Sequence, residues 1–146
     1  MKIDCTLRDE DKNTFLHMLY LDSNRKINRD IVASDLLKKG IDIDAVNVYG
    51  ETALHICCQK GMDPTFLIRS LANCNIADNM GNLPLHSYLQ SGNVKGDILE
   101  ALCKMTKDHS TRDDEGDNPL ETAIKCDCPD WVKFTLLSYR MSSWMI

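Results

Sequence analysis

Residues 50–55 read GETALH and residues 81–86 read GNLPLH, and the same pattern recurs as KNTFLH at 12–17 and as GDNPLE at 116–121. The leucines that the four windows share, Leu16, Leu54, Leu85 and Leu120, are 38, 31 and 35 residues apart. A pattern that returns every 20–50 residues or so (about the length of two helices and a turn) is typical of a chain built from copies of one supersecondary unit. The sequence therefore predicts four copies of such a unit within 146 residues.

An apolar pair follows each window and predicts the buried face of a second helix in each copy. The pairs are Leu36-Leu37, Leu67-Ile68, Leu102-Cys103 and Leu136-Leu137. The first residue of a pair always lies 19 residues before the His or Glu of the next window, whereas the distance from a window to its own pair varies. We therefore predict that all length variation lies in the surface connection between the two helices of a copy. Residues 21–30, LDSNRKINRD, are expected to form an extended first helix or a polar loop.

From Asp9 to about Tyr139 the chain resembles the ankyrin-repeat family, on the T-x-L-H and P-L-H windows and a mean period close to 33 residues. The resemblance implies an all-α ankyrin-repeat solenoid of about four helix-turn-helix repeats, joined by β-hairpin-like turns. Its single domain would divide at about 9–46, 47–77, 78–112 and 113–146. LHICC, PLHSYL and the uneven repeat lengths further resemble the ankyrin-repeat proteins of poxviruses. Nothing after Tyr139 matches their C-terminal F-box-like segment, so a short or truncated member is expected.

The windows also carry turn and helix-start signals. Each of three glycines follows an Asn or Asp by three residues, in the pairs Asn47/Gly50, Asp78/Gly81 and Asp113/Gly116. Glycine accepts a positive φ, and Asn or Asp bonds back to the nearby backbone, so tight hairpin tips are predicted. Lys12 replaces the glycine in the first copy, which predicts a tip that is differently shaped or frayed.

Helix starts and a buried helix face are predicted after each tip. Thr14 and Thr52 are suited to cap a helix, and Pro84 and Pro119 to occupy a first turn. The residues predicted to form the buried face of the first helices are Ile56, Cys57, Leu89, Ala123 and Ile124.

Three histidines recur at one position of the copies and therefore lie along the stack instead of around one ion. They are His17, His55 and His86. The family resemblance implies that each bonds to the backbone of a neighbouring turn. Glu121 takes this place in the fourth copy, which puts its turn bonding in doubt, and His109 is expected in an exposed loop.

The chain has seven cysteines, an odd number, which indicates reduced thiols. Cys57 and Cys58 are adjacent and Cys126 and Cys128 are separated by one residue, so neither pair has the spacing of a structural zinc site. Cys57, Cys103 and Cys126 fall where the pattern has small apolar residues and are expected to be buried. No thiol can be tied to a base, and no phosphate-binding glycine motif is present. We therefore expect no enzyme activity, no cofactor and no metal.

The net charge limits the classes of partner that the chain is expected to bind. A net charge of −5 gives no general attraction to nucleic acid or to an anionic membrane, and neither is expected as a partner. The start of the chain lacks the basic and apolar regions of a secretory signal, and no run of residues is apolar enough to span a membrane. A cytoplasmic location is expected.

By resemblance, the hairpin tips choose the partner, and nine residues are predicted to bind protein. They are Val48, Tyr49, Glu51, Asn79, Met80, Asn82, Asp114, Glu115 and Asp117. Tyr49 and Met80 are the predicted apolar anchors. The acidic fourth tip predicts either a solvated turn or a surface for a basic partner.

The resemblance implies host proteins of innate defence as partners, in the cytoplasm of an infected cell. The alternative is a remnant of a longer ankyrin-repeat adaptor of a ubiquitin ligase, with no partner of its own. The apolar segment 131–146 also predicts self-association if Trp144, Met145 and Ile146 are exposed instead of folding back over the end of the stack.

Overall fold

The computed structural model describes residues 4–24 and 26–144, which contain eight α-helices and, within those ranges, no β-strand. The helices are α1 Phe15–Leu21, α2 Arg29–Lys38, α3 Ala53–Gln59, α4 Thr65–Arg69, α5 Pro84–Gln90, α6 Gly96–Met105, α7 Pro119–Lys125 and α8 Asp130–Trp144. None of these helices is long and apolar enough to cross a membrane. The all-helical fold is consistent with ankyrin repeats and agrees with the expected fold class at that level.

The first helix of each predicted copy packs on the first helix of the next. Thus α1 contacts α3, α3 contacts α5, and α5 contacts α7, while the second helices α4, α6 and α8 contact one another in the same order. Leu16, Leu54 and Leu85 are buried between these layers, and Leu120 is half-buried at the same position of α7. Each helix pair therefore buries its apolar face against its neighbours along the chain.

The predicted start signals act as expected. The Thr14 and Thr52 side chains accept hydrogen bonds from the backbone N–H groups of His17 and His55, and so cap α1 and α3. Pro84 and Pro119 are the first residues of α5 and α7. These features begin all four first helices at one distance from the preceding tip.

The variation in repeat length lies partly in the predicted connections and partly in the second helices. Helix α4 has five residues, whereas α2 and α6 have ten each. The connections between the paired helices, at 22–28, 60–64, 91–95 and 126–129, differ less. The second helix can shorten at its N-terminal end because the apolar pair lies in the C-terminal half of α2, α4 and α6. Residues 22–28 separate α1 from α2, so α1 does not extend through the polar segment.

Two residues predicted to be buried are exposed. The Ile124 side chain, on α7, is 57% exposed, and Cys126 is also exposed just after α7. Cys58 on α3 and Leu89 on α5 occupy the position that corresponds to Ile124, and both are covered by the helix pair that follows. The described chain has no helix pair after α7 and α8 to cover Ile124. Cys57 and Cys103 are buried as predicted.

Leu71 has a left-handed backbone conformation at the end of α4, with φ 68° and a side chain that is 78% exposed. Gly40 occupies the equivalent position two residues after the end of α2, with φ 91°. A side chain in this conformation costs about 1–2 kcal/mol, part of which the greater unfolded-state freedom of glycine offsets. We expect Leu71→Gly to raise the free energy of unfolding by about 0.5–1 kcal/mol in urea titrations. Leu71→Ala keeps a Cβ and should bring no comparable gain; an equal gain from both variants would contradict the backbone explanation.

Candidate functional site: the row of hairpin tips

Four five-residue turns share one set of hydrogen bonds, and we call them tip 1 (9–13), tip 2 (47–51), tip 3 (78–82) and tip 4 (113–117). In each, the first backbone N–H donates to the fifth carbonyl, over 2.9–3.1 Å between nitrogen and oxygen. The side-chain oxygen of the first residue also accepts from the third and fifth backbone N–H groups. The fourth residue has a positive φ. The Asn or Asp and glycine signals in the sequence therefore form one rigid turn, repeated four times.

Tip 1 corrects the expectation that Lys12 would produce a different or frayed turn. Lys12 has φ 62°, close to the 73° of Gly50, and the Asp9 carboxylate accepts from the N–H groups of Asp11 and Asn13 as in the other tips. The bonds of Asp9 hold the turn in shape although its fourth residue is not glycine.

Backbone hydrogen bonds also join each tip to the next. The N–H of Val48 donates to the Asp11 carbonyl (N to O 2.9 Å), that of Asn79 to the Tyr49 carbonyl (3.0 Å), and that of Asp114 to the Met80 carbonyl (2.9 Å). The second and third residues of the tips therefore form a continuous row whose backbone is fixed before any ligand binds. A row of this kind loses little conformational freedom on binding.

The recurring histidines tie each helix pair to the following tip. The Nε2–H groups of His17, His55 and His86 donate to the carbonyls of Glu51, Asn82 and Asp117, at 2.8, 2.9 and 3.0 Å between nitrogen and oxygen. Their Nδ1 atoms each accept a backbone N–H at the start of their own helix, at 3.1 Å. The bond implied by the family resemblance is thus present in all three, and it fixes the neutral Nε2–H tautomer.

The same histidines make the fold sensitive to acid. Burial lowers the pKa of His17, His55 and His86 below the ordinary 6.5, against the backbone bonds, which raise it. Their contribution to stability is therefore present above pH 6.5 and lost as pH falls from 6.5 through the folded-state pKa. We expect the free energy of unfolding to fall with pH in this range, with a slope of up to about 4 kcal/mol per pH unit for three uncharged imidazoles. Urea titrations at several pH values measure this slope, and His86→Gln should remove about a third of it; an unchanged slope would exclude His86 as one of the groups.

The fourth copy has Glu121 in place of the recurring histidine, and this region of the chain is held by ion pairs. The Glu121 carboxylate accepts hydrogen bonds from Arg112 (Nη1 to Oε1 2.8 Å) and from the backbone N–H of Asn118 (3.4 Å). The bond from Asn118 replaces the one that a histidine Nδ1 accepts at the start of its own helix. Glu121 does not replace the histidine Nε2–H bond to the carbonyl of a following tip. Lys125 contacts Glu115 (Nζ to Oε2 3.2 Å) and Asp117.

The predicted protein-binding residues differ in accessibility. Six of the nine are the second and third residues of tips 2 to 4, and all six are exposed, whereas Glu51 and Asn82 are half-buried. Tyr49 is 56% exposed and Met80 59%, at the same position of neighbouring tips. Asp117 is 8% exposed, because its carbonyl accepts from His86 and its carboxylate contacts Lys125. Asp117 is therefore part of the fold and little exposed, and its contact with a partner stays a prediction.

His109 is buried, which corrects its assignment to an exposed loop. It is 6% exposed, its Nε2–H donates to the Cys103 carbonyl over 2.9 Å, and its ring stacks on Tyr139 with 5.5 Å between ring centres. An isolated histidine outside the repeat pattern gives no sequence signal for this contact, because the stacking partner lies far along the chain.

Chemical reactivity is low for three buried thiols. Burial raises the pKa of Cys57 and Cys58, and raises that of Cys103 to about 12. Thiols in such surroundings are poor nucleophiles at neutral pH. In the described ranges, no group of three His, Cys, Asp or Glu side chains is placed to hold a metal ion.

The C-terminal helix exposes part of its apolar surface. Trp131, Phe134 and Met141 on α8 are exposed, whereas Val132 and Leu136 are buried against the stack. The Trp144 side chain, Met145 and Ile146 lie outside the described residues, so the predicted self-association through them stays a prediction.

Comparison with known proteins points to one family. A family model described as ankyrin repeats (many copies) matches residues 30–69. The chain is 31% identical over 130 residues to a putative palmitoyltransferase, ZDHHC13, of Danio rerio, a match that covers 86% of this chain and 19% of that protein. A putative ankyrin repeat protein of Rickettsia felis is 29% identical over 116 residues, which is 73% of this chain and 50% of that protein.

A third relative, neurogenic locus notch homolog protein 1 of Mus musculus, is 31% identical over 97 residues, 64% of this chain and 4% of that protein. The chain thus spans half or less of the length of each of these relatives. The matches and the all-helical fold support the ankyrin-repeat family, whose repeats generally mediate protein–protein interaction and are typically non-catalytic.

Proposed function

We propose that this chain is a non-catalytic protein-binding module that binds its partner through the row of hairpin tips. In this proposal the chain is one solenoid domain of four ankyrin repeats, at about 9–46, 47–77, 78–112 and 113–146. The observation that carries the proposal is the exposure of Tyr49 and Met80 at equivalent positions of two tips whose backbones are bonded to each other. Large apolar side chains on a preorganised surface are the groups in which interface energy concentrates.

The tips suit a binding role because their exposed residues are separate from the residues that hold the turns. The bonds of tips 2 and 3 come from Asn47 and Asp78, from the glycines and from the backbone. The side chains of Tyr49 and Met80 project from these turns and make none of those bonds. Both side chains can therefore contact a partner without disturbing the bonds that hold the turns.

The proposal extends to the source of the partner. The resemblance of LHICC, PLHSYL and the uneven repeats to poxvirus ankyrin-repeat proteins supports a viral chain that binds host proteins of innate defence in the host cytoplasm. The tips at Val48, Asn79, Asp114 and Glu115 would add polar and apolar contacts around the two anchors, and the half-buried Glu51 and Asn82 would lie at the edge of the contact.

The test compares proteins retained from a vertebrate cell lysate by the purified wild-type chain and by Tyr49→Ala/Met80→Ala. Each anchor is expected to contribute about 1–2 kcal/mol, so the double variant should bind a specific partner at least tenfold more weakly. Ile31→Ala, which removes an equally exposed apolar side chain from the outer face of α2, is the matched control and should retain the partner. Equal retention by the wild type and the tip variant would contradict the proposal.

A further inference from the structure

The row of tips changes from apolar to acidic between tip 2 and tip 4. Tips 2 and 3 expose Tyr49 and Met80, and tip 4 exposes Asp114 and Glu115 at the corresponding second and third positions. Tip 1, at the other end, exposes Glu10 and Asp11 at the same two positions, with the exposed Lys12 beside them. A ligand that lies across tips 2 to 4 therefore meets apolar side chains at tips 2 and 3 and negative charge at tip 4.

The negative charge at tip 4 is only partly neutralised within the chain. Arg112 pairs with Glu121, and Lys125 pairs with Glu115 and Asp117. The carboxylate of Asp114 forms no ion pair with any cation in residues 4–24 or 26–144. Asp114 is exposed, and its backbone N–H is held by the Met80 carbonyl, so its charge has a fixed place next to the apolar part of the row.

The helix packing sets the spacing of the row. Tyr49, Met80 and Glu115 are the third residues of tips that precede α3, α5 and α7, which pack on one another in turn. Axes of packed helices lie about 8–10 Å apart, so successive tips follow at about that interval. An extended peptide advances about 3.3 Å per residue, so neighbouring tips correspond to about three residues of such a peptide.

From this arrangement we infer that tips 2 to 4 bind an extended protein segment with two large apolar side chains about three residues apart and a Lys or Arg about three residues beyond them. The apolar side chains contact Tyr49 and Met80, and the cation lies beside Asp114. The inference rests on the proposed function, because it takes the tips as the ligand surface, and it adds the chemistry of the ligand.

The experiment selects random peptides displayed on phage against the immobilised full chain at low salt, followed by affinity measurements on one recovered peptide. We expect recovered sequences to share the apolar-x-x-apolar-x-x-cation spacing, in either chain direction. Binding should weaken as salt is raised, because an exposed ion pair is screened. Asp114→Lys should weaken binding about tenfold and remove most of the salt dependence, whereas Tyr49→Ala should weaken binding and leave the salt dependence in place.

Asp35→Lys is the matched control for charge. Asp35 is exposed on the outer face of α2, and the substitution changes the net charge of the chain by the same amount as Asp114→Lys. We expect it to leave peptide affinity within twofold of the wild type. A loss equal to that of Asp114→Lys would overturn the inference, since the effect would then come from net charge and not from tip 4.

Recovered peptides without the cation, or no recovered peptide at all, would also overturn the inference. The proposed function is judged separately, by the retention of a folded partner from lysate. If Tyr49→Ala/Met80→Ala abolishes that retention while the selected peptides lack a cation, the inference fails and the proposed function stands. If the tip variants change neither measurement, both fail.

Discussion

Gly50→Ala is expected to lower the free energy of unfolding by about 2–4 kcal/mol. Gly50 has φ 73°, a conformation that costs a residue with a Cβ about 1–2 kcal/mol. The added Cβ would also lie 2.4 Å from Asn79 Oδ1 and 2.9 Å from the Asn79 backbone nitrogen. Asn79 cannot move away freely, because its Nδ2 donates to the Val48 carbonyl over 2.8 Å. Overpacking of this kind adds about 1–3 kcal/mol.

Gly116→Ala is the matched control for this substitution. Gly116 has φ 84°, but no atom lies within 4 Å of the position that its Cβ would occupy. Only the backbone cost remains, so a loss of about 1 kcal/mol is expected. Urea unfolding of both variants measures the difference, which reports the packing of one tip against the next. Equal losses would show that the contact between tips 2 and 3 contributes nothing beyond the backbone conformation.

His55→Ala should cause a second large loss, of about 3–5 kcal/mol. The His55 side chain is fully buried and holds the Thr52 N–H on one ring nitrogen and the Asn82 carbonyl on the other. Its removal leaves a cavity and two backbone groups without their partners, and both effects destabilise the folded chain. The measurement is the urea midpoint at pH 7.5, where the imidazole of the wild type is neutral.

Gln59→Ala provides the comparison for His55→Ala. Gln59 is exposed on the same helix and bonds to the Glu51 side chain, so its removal should cost no more than about 0.5 kcal/mol. A cost of less than 1 kcal/mol for His55→Ala would mean that the backbone bonds alone hold the tip in place, and that the histidine does not tie α3 to tip 3.

The repeated features of the fold were predictable because each depends on residues close together in sequence. Gly50 and Asn47 define a turn within five residues, and Thr52 and His55 define the helix start that follows. The position of Tyr49 on the exposed part of its tip follows from the same local pattern. Local geometry repeated at a regular interval is the kind of information that a single sequence carries well.

The errors concern contacts between distant parts of the chain. His109 is buried, and Tyr139 stacks on it from far along the chain. Ile124 is exposed because the described chain places no further helix pair after α7 and α8 to cover it. None of these partners is marked by spacing in the sequence. The shape of tip 1 was missed for another reason, since the Asp9 side chain proves sufficient to hold a turn that was attributed to glycine.

The residues that hold each turn are different from those whose side chains are exposed, and this separation has an evolutionary consequence. Turn shape depends on the first residue, the fourth residue and the backbone, while the side chains of Tyr49, Met80 and Asp114 contribute no hydrogen bond to the described part of the fold. Substitutions at these positions can therefore accumulate at little cost in stability. Under the proposed binding role, a lineage carrying this chain changes its target by altering a few tip residues, while selection for folding continues to act on a separate set of positions.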